Sequence, residues 1–231
     1  MSKTRLIEAV KHLDIEETRQ ILDAKPELLQ AITPNGRNLL HVACTASCAA
    51  LDVPESRAVK MVGMLLDRGL DIDQLGLSGR DPCPPLFFAV AFGRSRAVVK
   101  YLLDRGADIR AVPGGGLFAA GWWDDTANLK LLLDAGAPID VVVGVTPFLA
   151  AWSWKRFEAA KYLAKRGADV NYQDQKGRTA LHHGVEKEFD PALLTWLVKH
   201  GASPDIEDHT GVTPRLKASR KRDQRWAAAL G

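Results

Sequence analysis

The sequence predicts an all-α solenoid of stacked helix–turn–helix units. A glycine-centred phrase recurs five times: LLDRGLDID at 65–73, LLDRGADIR at 102–110, LLDAGAPID at 132–140, LAKRGADVN at 163–171 and LVKHGASPD at 197–205. Its glycines, Gly69, Gly106, Gly136, Gly167 and Gly201, are separated by 37, 30, 31 and 34 residues. A second phrase precedes each glycine: NLLHVA at 38–43, PPLFFA at 84–89, GGLFAA at 115–120, TPFLAA at 146–151 and TALHHG at 179–184, with TPRLKA at 213–218 after the last. Two phrases recurring in step at a period of roughly 20–50 residues mean one supersecondary unit stacked on copies of itself. One unit cannot bury its apolar faces alone, so its neighbours supply the core.

Each part of the unit has a local reason. In TPFLAA, Thr146 caps a helix and Pro147 occupies its first turn, where a missing N–H costs nothing. Ala97, Val98, Tyr101 and Leu102 place apolar groups at helical spacing in the second helix. Gly106 ends that helix, because the left-handed residue after a helix suits glycine. In the turn Asp174-Gln175-Lys176-Gly177 the glycine again permits positive φ. The pattern Thr-Pro-Leu-His-x-Ala, followed by a helix ending Leu-Leu-x-x-Gly-Ala-Asp, resembles the ankyrin repeat over about residues 35–218. The resemblance implies an ankyrin-repeat solenoid of helix-turn-helix units with β-hairpin-like loops. We read 1–34 as a helical N-terminal cap, 35–211 as five ankyrin-like repeats and 212–231 as a partial sixth repeat or C-terminal cap.

The ends fit that organisation. Residues 3–30 read as two short helices, with Asp14 and Glu17 spaced for a capping box. The last unit replaces a core leucine by Arg215 and is basic through Lys217, Arg220, Lys221, Arg222 and Arg225, as expected for a solvated terminal unit. Across 231 residues the net charge is only +3, too small to imply nucleic acid. No stretch approaches the roughly 18 uncharged apolar residues of a membrane span, and the start has an amphipathic rather than a signal-peptide pattern. Three cysteines form no disulfide framework. The expectation is a cytoplasmic monomer with no cofactor.

Two repeats depart from the pattern. Ala43 and Gly69 are 26 residues apart, against 16 or 17 in the other copies, which places an insertion near 46–55. The third repeat has a shortened loop, Val112-Pro113-Gly114-Gly115-Gly116. Chemistry has few candidates. His41, Cys44 and Cys48 share one face only if a helix reaches Cys48, and their spacing with Cys83 is not that of a zinc site. The resemblance instead implies that His41 and His182 hydrogen-bond backbone between neighbouring loops. Gly114–Gly116 lacks the Lys-Ser/Thr of a phosphate loop, and no Gly-x-Ser-x-Gly is present. Asp124 and Asp125 read as solvated. The expectation is a non-catalytic protein.

Binding residues are sought where the copies differ. Three positions past Ala89, Ala120 and Ala151 stand Phe92, Trp123 and Trp154, spaced 31 residues apart, with Trp122 in the preceding column. The resemblance implies that these columns face a concave binding groove, and exposed tryptophan is enriched at binding hot spots. Arg94, Arg96, Lys155 and Arg156 would give its rim a positive bias. Trp152 falls where the family has a buried alanine and is expected to pack between repeats. Loop tips offer a second set: Tyr172, Gln175, Lys176 and Arg178. The leading expectation is therefore a protein–protein interaction module binding an unidentified protein. Two readings stand beside it. Trp122, Trp123 and Trp154 with Asp124, Asp125 or Glu158 would make an aromatic cage for methyl-lysine or another quaternary ammonium. Alternatively the aromatics only stiffen a structural spacer.

Overall fold

A computed structural model describes residues 2–78, 81–111 and 114–231. The chain packs as two compact units, one built from Met1–Ala119 with Lys130–Ala137 and the other from Ala120–Leu129 with Pro138–Gly231. The first holds α1 (Lys3–Lys11), α2 (Ile15–Ala24), a 3₁₀ turn at Pro26–Gln30, α3 (Leu39–Thr45) and α4 (Glu55–Asp67). The antiparallel hairpin β1 (Gly76–Ser78) and β2 (Asp81–Cys83) follows, pairing Gly76 with Cys83 and Leu77 with Pro82. Then come α5 (Pro85–Phe88), a π-helical turn at Ala89–Gly93 and α6 (Arg96–Asp104). Helices α7 (Gly115–Trp122) and α8 (Thr126–Asp134) supply residues to both units. The second unit continues with α9 (Pro147–Ser153), α10 (Phe157–Lys165), α11 (Ala180–Glu186), α12 (Pro191–Lys199), α13 (Pro214–Ser219) and α14 (Arg225–Ala229).

The repeated phrase works as its chemistry requires. Gly69, Gly106, Gly136, Gly167 and Gly201 have φ of +97, +88, +90, +92 and +96°. At Gly167 an added Cβ would meet nothing within 4 Å, so the demand for glycine there is purely conformational. The acidic or amide residue beyond the glycine stitches one loop to the next. Asp73 Oδ1 accepts from the Asp108 N–H at 2.9 Å, Asp140 Oδ1 from the Asp169 N–H at 2.9 Å, and Asn171 Oδ1 from the Ser203 N–H at 2.8 Å. A second left-handed position recurs between the paired helices, where Leu13, Asp52, Arg94, Asp124, Lys155 and Glu188 have φ between +52 and +61°. None of the six is glycine, so each carries a cost on the order of 1 kcal/mol that the flanking helices hold in place.

The two histidines singled out in the sequence are structural. His41 Nδ1 accepts from the Asn38 N–H (3.3 Å) and its Nε2–H donates to the Cys83 carbonyl (3.2 Å). His182 repeats this with the Thr179 N–H (3.0 Å) and the Val212 carbonyl (2.9 Å). Burial lowers both imidazole pKa values and keeps the rings neutral, which these partners need.

One local expectation is revised, one conditional reading is decided, and one falls partly outside the described residues. Helix α3 ends at Thr45 and Ala46 is extended, so Cys48 does not share a helix face with His41 and Cys44. Asp14 caps α2 by accepting from the Glu17 N–H at 2.9 Å, but the reciprocal half of the box is missing. The Asp14 N–H is already bonded to the Ala9 carbonyl at 2.8 Å, and the Glu17 carboxylate pairs with Arg5. Of the shortened third-repeat loop, Val112 and Pro113 lie outside the described residues, while Gly114 has φ +71° and Gly115 opens α7.

Trp152 anchors the second core. It is fully buried, touches Phe148, Phe157 and Phe189 at centroid distances of 6.3, 5.5 and 5.8 Å, and donates from Nε1 to the Ala180 carbonyl at 2.8 Å. This is the packing role expected of it. The first core gathers Leu6, Leu39, Leu40, Met61, Leu65 and Phe88, all essentially inaccessible.

Candidate functional site

The end of each first helix places the aromatic column. In the second unit, α7 terminates at Trp122 and α9 at Ser153, so Trp122, Trp123 and Trp154 stand where the chain leaves a helix for its left-handed turn. Burial in the helix pair stops there, and the three side chains remain 46, 43 and 37% exposed. Trp122 and Trp154 meet edge to face, with centroids 5.0 Å apart and planes at 75°. The guanidinium of Arg156 lies 5.7 Å from the Trp122 ring centre, and Lys155 Nζ lies 5.5 Å from that of Phe189. Both aromatic stacking and cation–π contact therefore organise the patch. Phe92 belongs to the first unit, where it is 46% exposed and rests on Phe87 and Phe88.

Asp124 and Asp125 are not a solvated pair. Asp124 Oδ1 accepts from the Ala159 N–H at 2.7 Å, tying the α7–α8 turn to the first turn of α10. Asp125 caps α8, accepting from the Asn128 N–H (3.0 Å) and from Asn128 Nδ2 (2.8 Å). The first unit has a counterpart to the Asp124 bridge, in which the Ala97 N–H donates to Glu55 Oε2 at 2.9 Å.

The loop-tip residues separate into two groups. Gln175 and Lys176 are exposed and, with Val143, Gly144 and Val145, border a shallow cleft of about 350 Å³, while Tyr172 is half-buried. Arg178 turns inward instead. Its Nε and Nη2 donate to Asp174 Oδ2 (3.0 and 2.8 Å) and its Nη1 donates to Glu186 Oε2 (3.1 Å). His183 Nε2 reaches the same Asp174 oxygen at 3.0 Å, and Lys217 closes the network on Glu186. Sequence reasoning missed this cluster. Its only signal is the second histidine of TALHHG, a polar residue on a helix that otherwise faces the core.

Burial alone would raise the Asp174 pKa, but hydrogen bonds from the Arg178 side chain and backbone, the Lys176 N–H and His183 together hold it well below the usual carboxylate range. A depressed folded-state pKa means stabilisation that is complete above the unfolded value and lost as pH falls. Asp174→Asn is expected to cost on the order of 2 kcal/mol at neutral pH, the loss of charge-assisted bonds to a nearly buried group. The deficit against the parent protein should shrink below about pH 4, where the unfolded aspartate takes up its proton. Urea unfolding of both proteins across that range measures it.

The comparisons with known proteins agree with this architecture. The family model for ankyrin repeats in three copies matches residues 117–224, and that for a single ankyrin repeat matches 81–111. An ankyrin repeat protein of Rickettsia felis is 32% identical over 57 residues, 25% of this chain and 15% of that protein. The p105 subunit of nuclear factor NF-kappa-B from Gallus gallus is 41% identical over 71 residues, 30% of this chain and 7% of that protein. The matches to these relatives thus span only a small part of their lengths. Among solved structures, the ankyrin repeat domain of Bcl-3 superposes with a TM-score of 0.78 at 21% identity, covering 98% of this chain and 97% of that one. The ankyrin repeat domain of human ASB11 gives 0.73 at 22%, covering 97 and 95%. The chain belongs to the ankyrin-repeat family and has its solenoid fold. Ankyrin repeats are in general protein–protein interaction modules and typically non-catalytic. Among the described residues no helix is long and apolar enough to cross a membrane.

Proposed function

We propose that the second unit binds a protein partner through the surface formed by Trp122, Trp123 and Trp154. The observation that carries this reading is the persistence of three large aromatic side chains in partial contact with water, side by side in one compact unit. Tryptophan offers a wide, rigid contact area at small entropic cost, and such residues dominate binding energies at protein interfaces. Lys155 and Arg156 border the same surface, and Gln175 and Lys176 extend the contact to the loop tips. Phe92 offers a separate aromatic contact on the first unit. The Trp122–Trp154 contact is what the spacer reading expects, but that reading leaves the exposed area of all three rings without a role, and the cage reading has no observation in its favour. For the cage, a ligand cation would have to displace the Arg156 guanidinium that lies 5.7 Å from the Trp122 ring centre.

The test is site-specific photo-crosslinking from position 123 in cells that make the protein, followed by capture with the Trp123→Ala, Trp154→Ala double variant. A single dominant adduct is expected, with capture of that partner weakened by about thirtyfold or more, as for loss of a hot spot. Undiminished capture by a folded double variant would overturn the proposal.

A further inference from the structure

We infer that this surface selects an acidic segment, which sets an apolar side chain against Trp122, Trp123 and Trp154 and offers a carboxylate to Arg156. The inference rests on the tryptophan reading above and adds the chemistry of the partner.

The first support is which charged groups already have partners. Four carboxylates of the second unit, three of them close in sequence to the tryptophans, are engaged within that unit. Asp124 accepts from the Ala159 N–H, Asp125 from Asn128, Glu158 pairs with Lys161 at 3.2 Å, and Glu188 pairs with Lys221 at 2.8 Å. The cations differ. Among the described residues, Lys155 and Arg156 have no carboxylate partner and lie over aromatic rings instead. Asp124 and Asp125 keep their charge but are committed to N–H donors of their own unit, so Lys155 and Arg156 are the charged groups left to pair with a ligand, and they call for an anion.

The second support is an unmet hydrogen bond. Arg156 Nε is buried and finds no acceptor. A guanidinium N–H withheld from water without an acceptor is costly, so the free surface has a built-in demand for an anion. Swinging Arg156 off the Trp122 ring onto a carboxylate meets that demand with a paired, charge-assisted contact. The same movement bares the ring face for an apolar side chain. Acid and apolar anchor are thereby read together, because each needs Arg156 to move.

The test uses fluorescence anisotropy with three labelled peptides in one frame: a repeating Asp-Leu-Glu peptide, its Asn-Leu-Gln isostere and a Lys-Leu-Lys version. The acidic peptide is expected to bind about tenfold or more tightly than its isostere, and the lysine peptide least. Arg156→Gln should remove most of that preference and Arg156→Lys retain part of it, with thermal unfolding confirming that both variants fold. Lys155→Gln provides a second, milder variant, expected to reduce the salt dependence. Equal binding of the acidic and amide peptides, or binding of neither, overturns the inference. If both bind equally and both are lost in Trp122→Ala, the tryptophan surface stands and only the acid preference falls. Acidic binding untouched by both Trp122→Ala and Arg156→Gln lies elsewhere, and both readings fall.

Discussion

Replacing Trp152 with alanine is expected to destabilise the protein by about 3–5 kcal/mol, the usual cost of emptying a large buried aromatic site. The position has no slack. The ring is inaccessible to water and is walled by Phe148, Phe157 and Phe189, side chains of two helices and of the turn before a third, so the space cannot collapse without moving three elements. The Phe157–Phe189 pair, 5.1 Å apart, also loses the ring both lean on. Trp152→Phe separates the contributions. It keeps much of the aromatic contact and forfeits the 2.8 Å bond to the Ala180 carbonyl, worth about 1 kcal/mol net. Trp154→Ala serves as the contrast, because a side chain 37% exposed gives up far less burial and is expected to cost within about 1 kcal/mol. Urea unfolding followed by circular dichroism ranks the three. A Trp152→Ala variant as mild as Trp154→Ala would mean that the Trp152 site is looser than its packing indicates.

The contrast between Trp152 and Trp154, two residues apart, marks how far the sequence reaches. Both belong to a repeat whose register is set by periodic glycines, and register alone separates an inward position from one at the helix end. The stacked units were legible for the same reason: a glycine at φ near +90° leaves no ordinary alternative residue, so its requirement is written in the chain. What sequence reasoning did not reach depends on where a side chain turns once the repeat is folded. Asp124 reads as one of two adjacent acids until its left-handed turn points it at the Ala159 N–H, 35 positions on. Arg178 reads as a loop tip until Asp174 and Glu186 draw it inward. The Asp124 contact is set by how neighbouring repeats stack, which no local pattern encodes, whereas Arg178 meets partners four and eight positions away and its direction is set by how the turn folds onto α11.

Gly93→Ala is the second substitution expected to act strongly, at about 3 kcal/mol or more, and it concerns a glycine outside the repeated phrase. Gly93 closes the π-helical turn that follows α5, immediately before Arg94 at φ +52°. A Cβ placed on it would stand 2.2 Å from the Cys44 carbonyl oxygen and 3.5 Å from that of Ala46. The obstacle is backbone at the end of α3 rather than a flexible side chain, so relief requires shifting α3 against the turn. Overpacking of this kind typically costs about 1–3 kcal/mol, and more when main chain must move. The insertion near 46–55 starts at this contact, which links its otherwise irregular path to the need for close approach at Gly93. Gly121→Ala provides the control. Gly121 lies within α7, its added Cβ would meet only the Ala151 methyl at an ordinary 3.7 Å, and alanine is the better helix former by up to about 1 kcal/mol. The pair should therefore move in opposite directions, Gly93→Ala lowering the unfolding midpoint and Gly121→Ala raising it slightly. Equal and small effects would show that the end of α3 yields to the added methyl group, and that the tight approach is not what shapes the insertion.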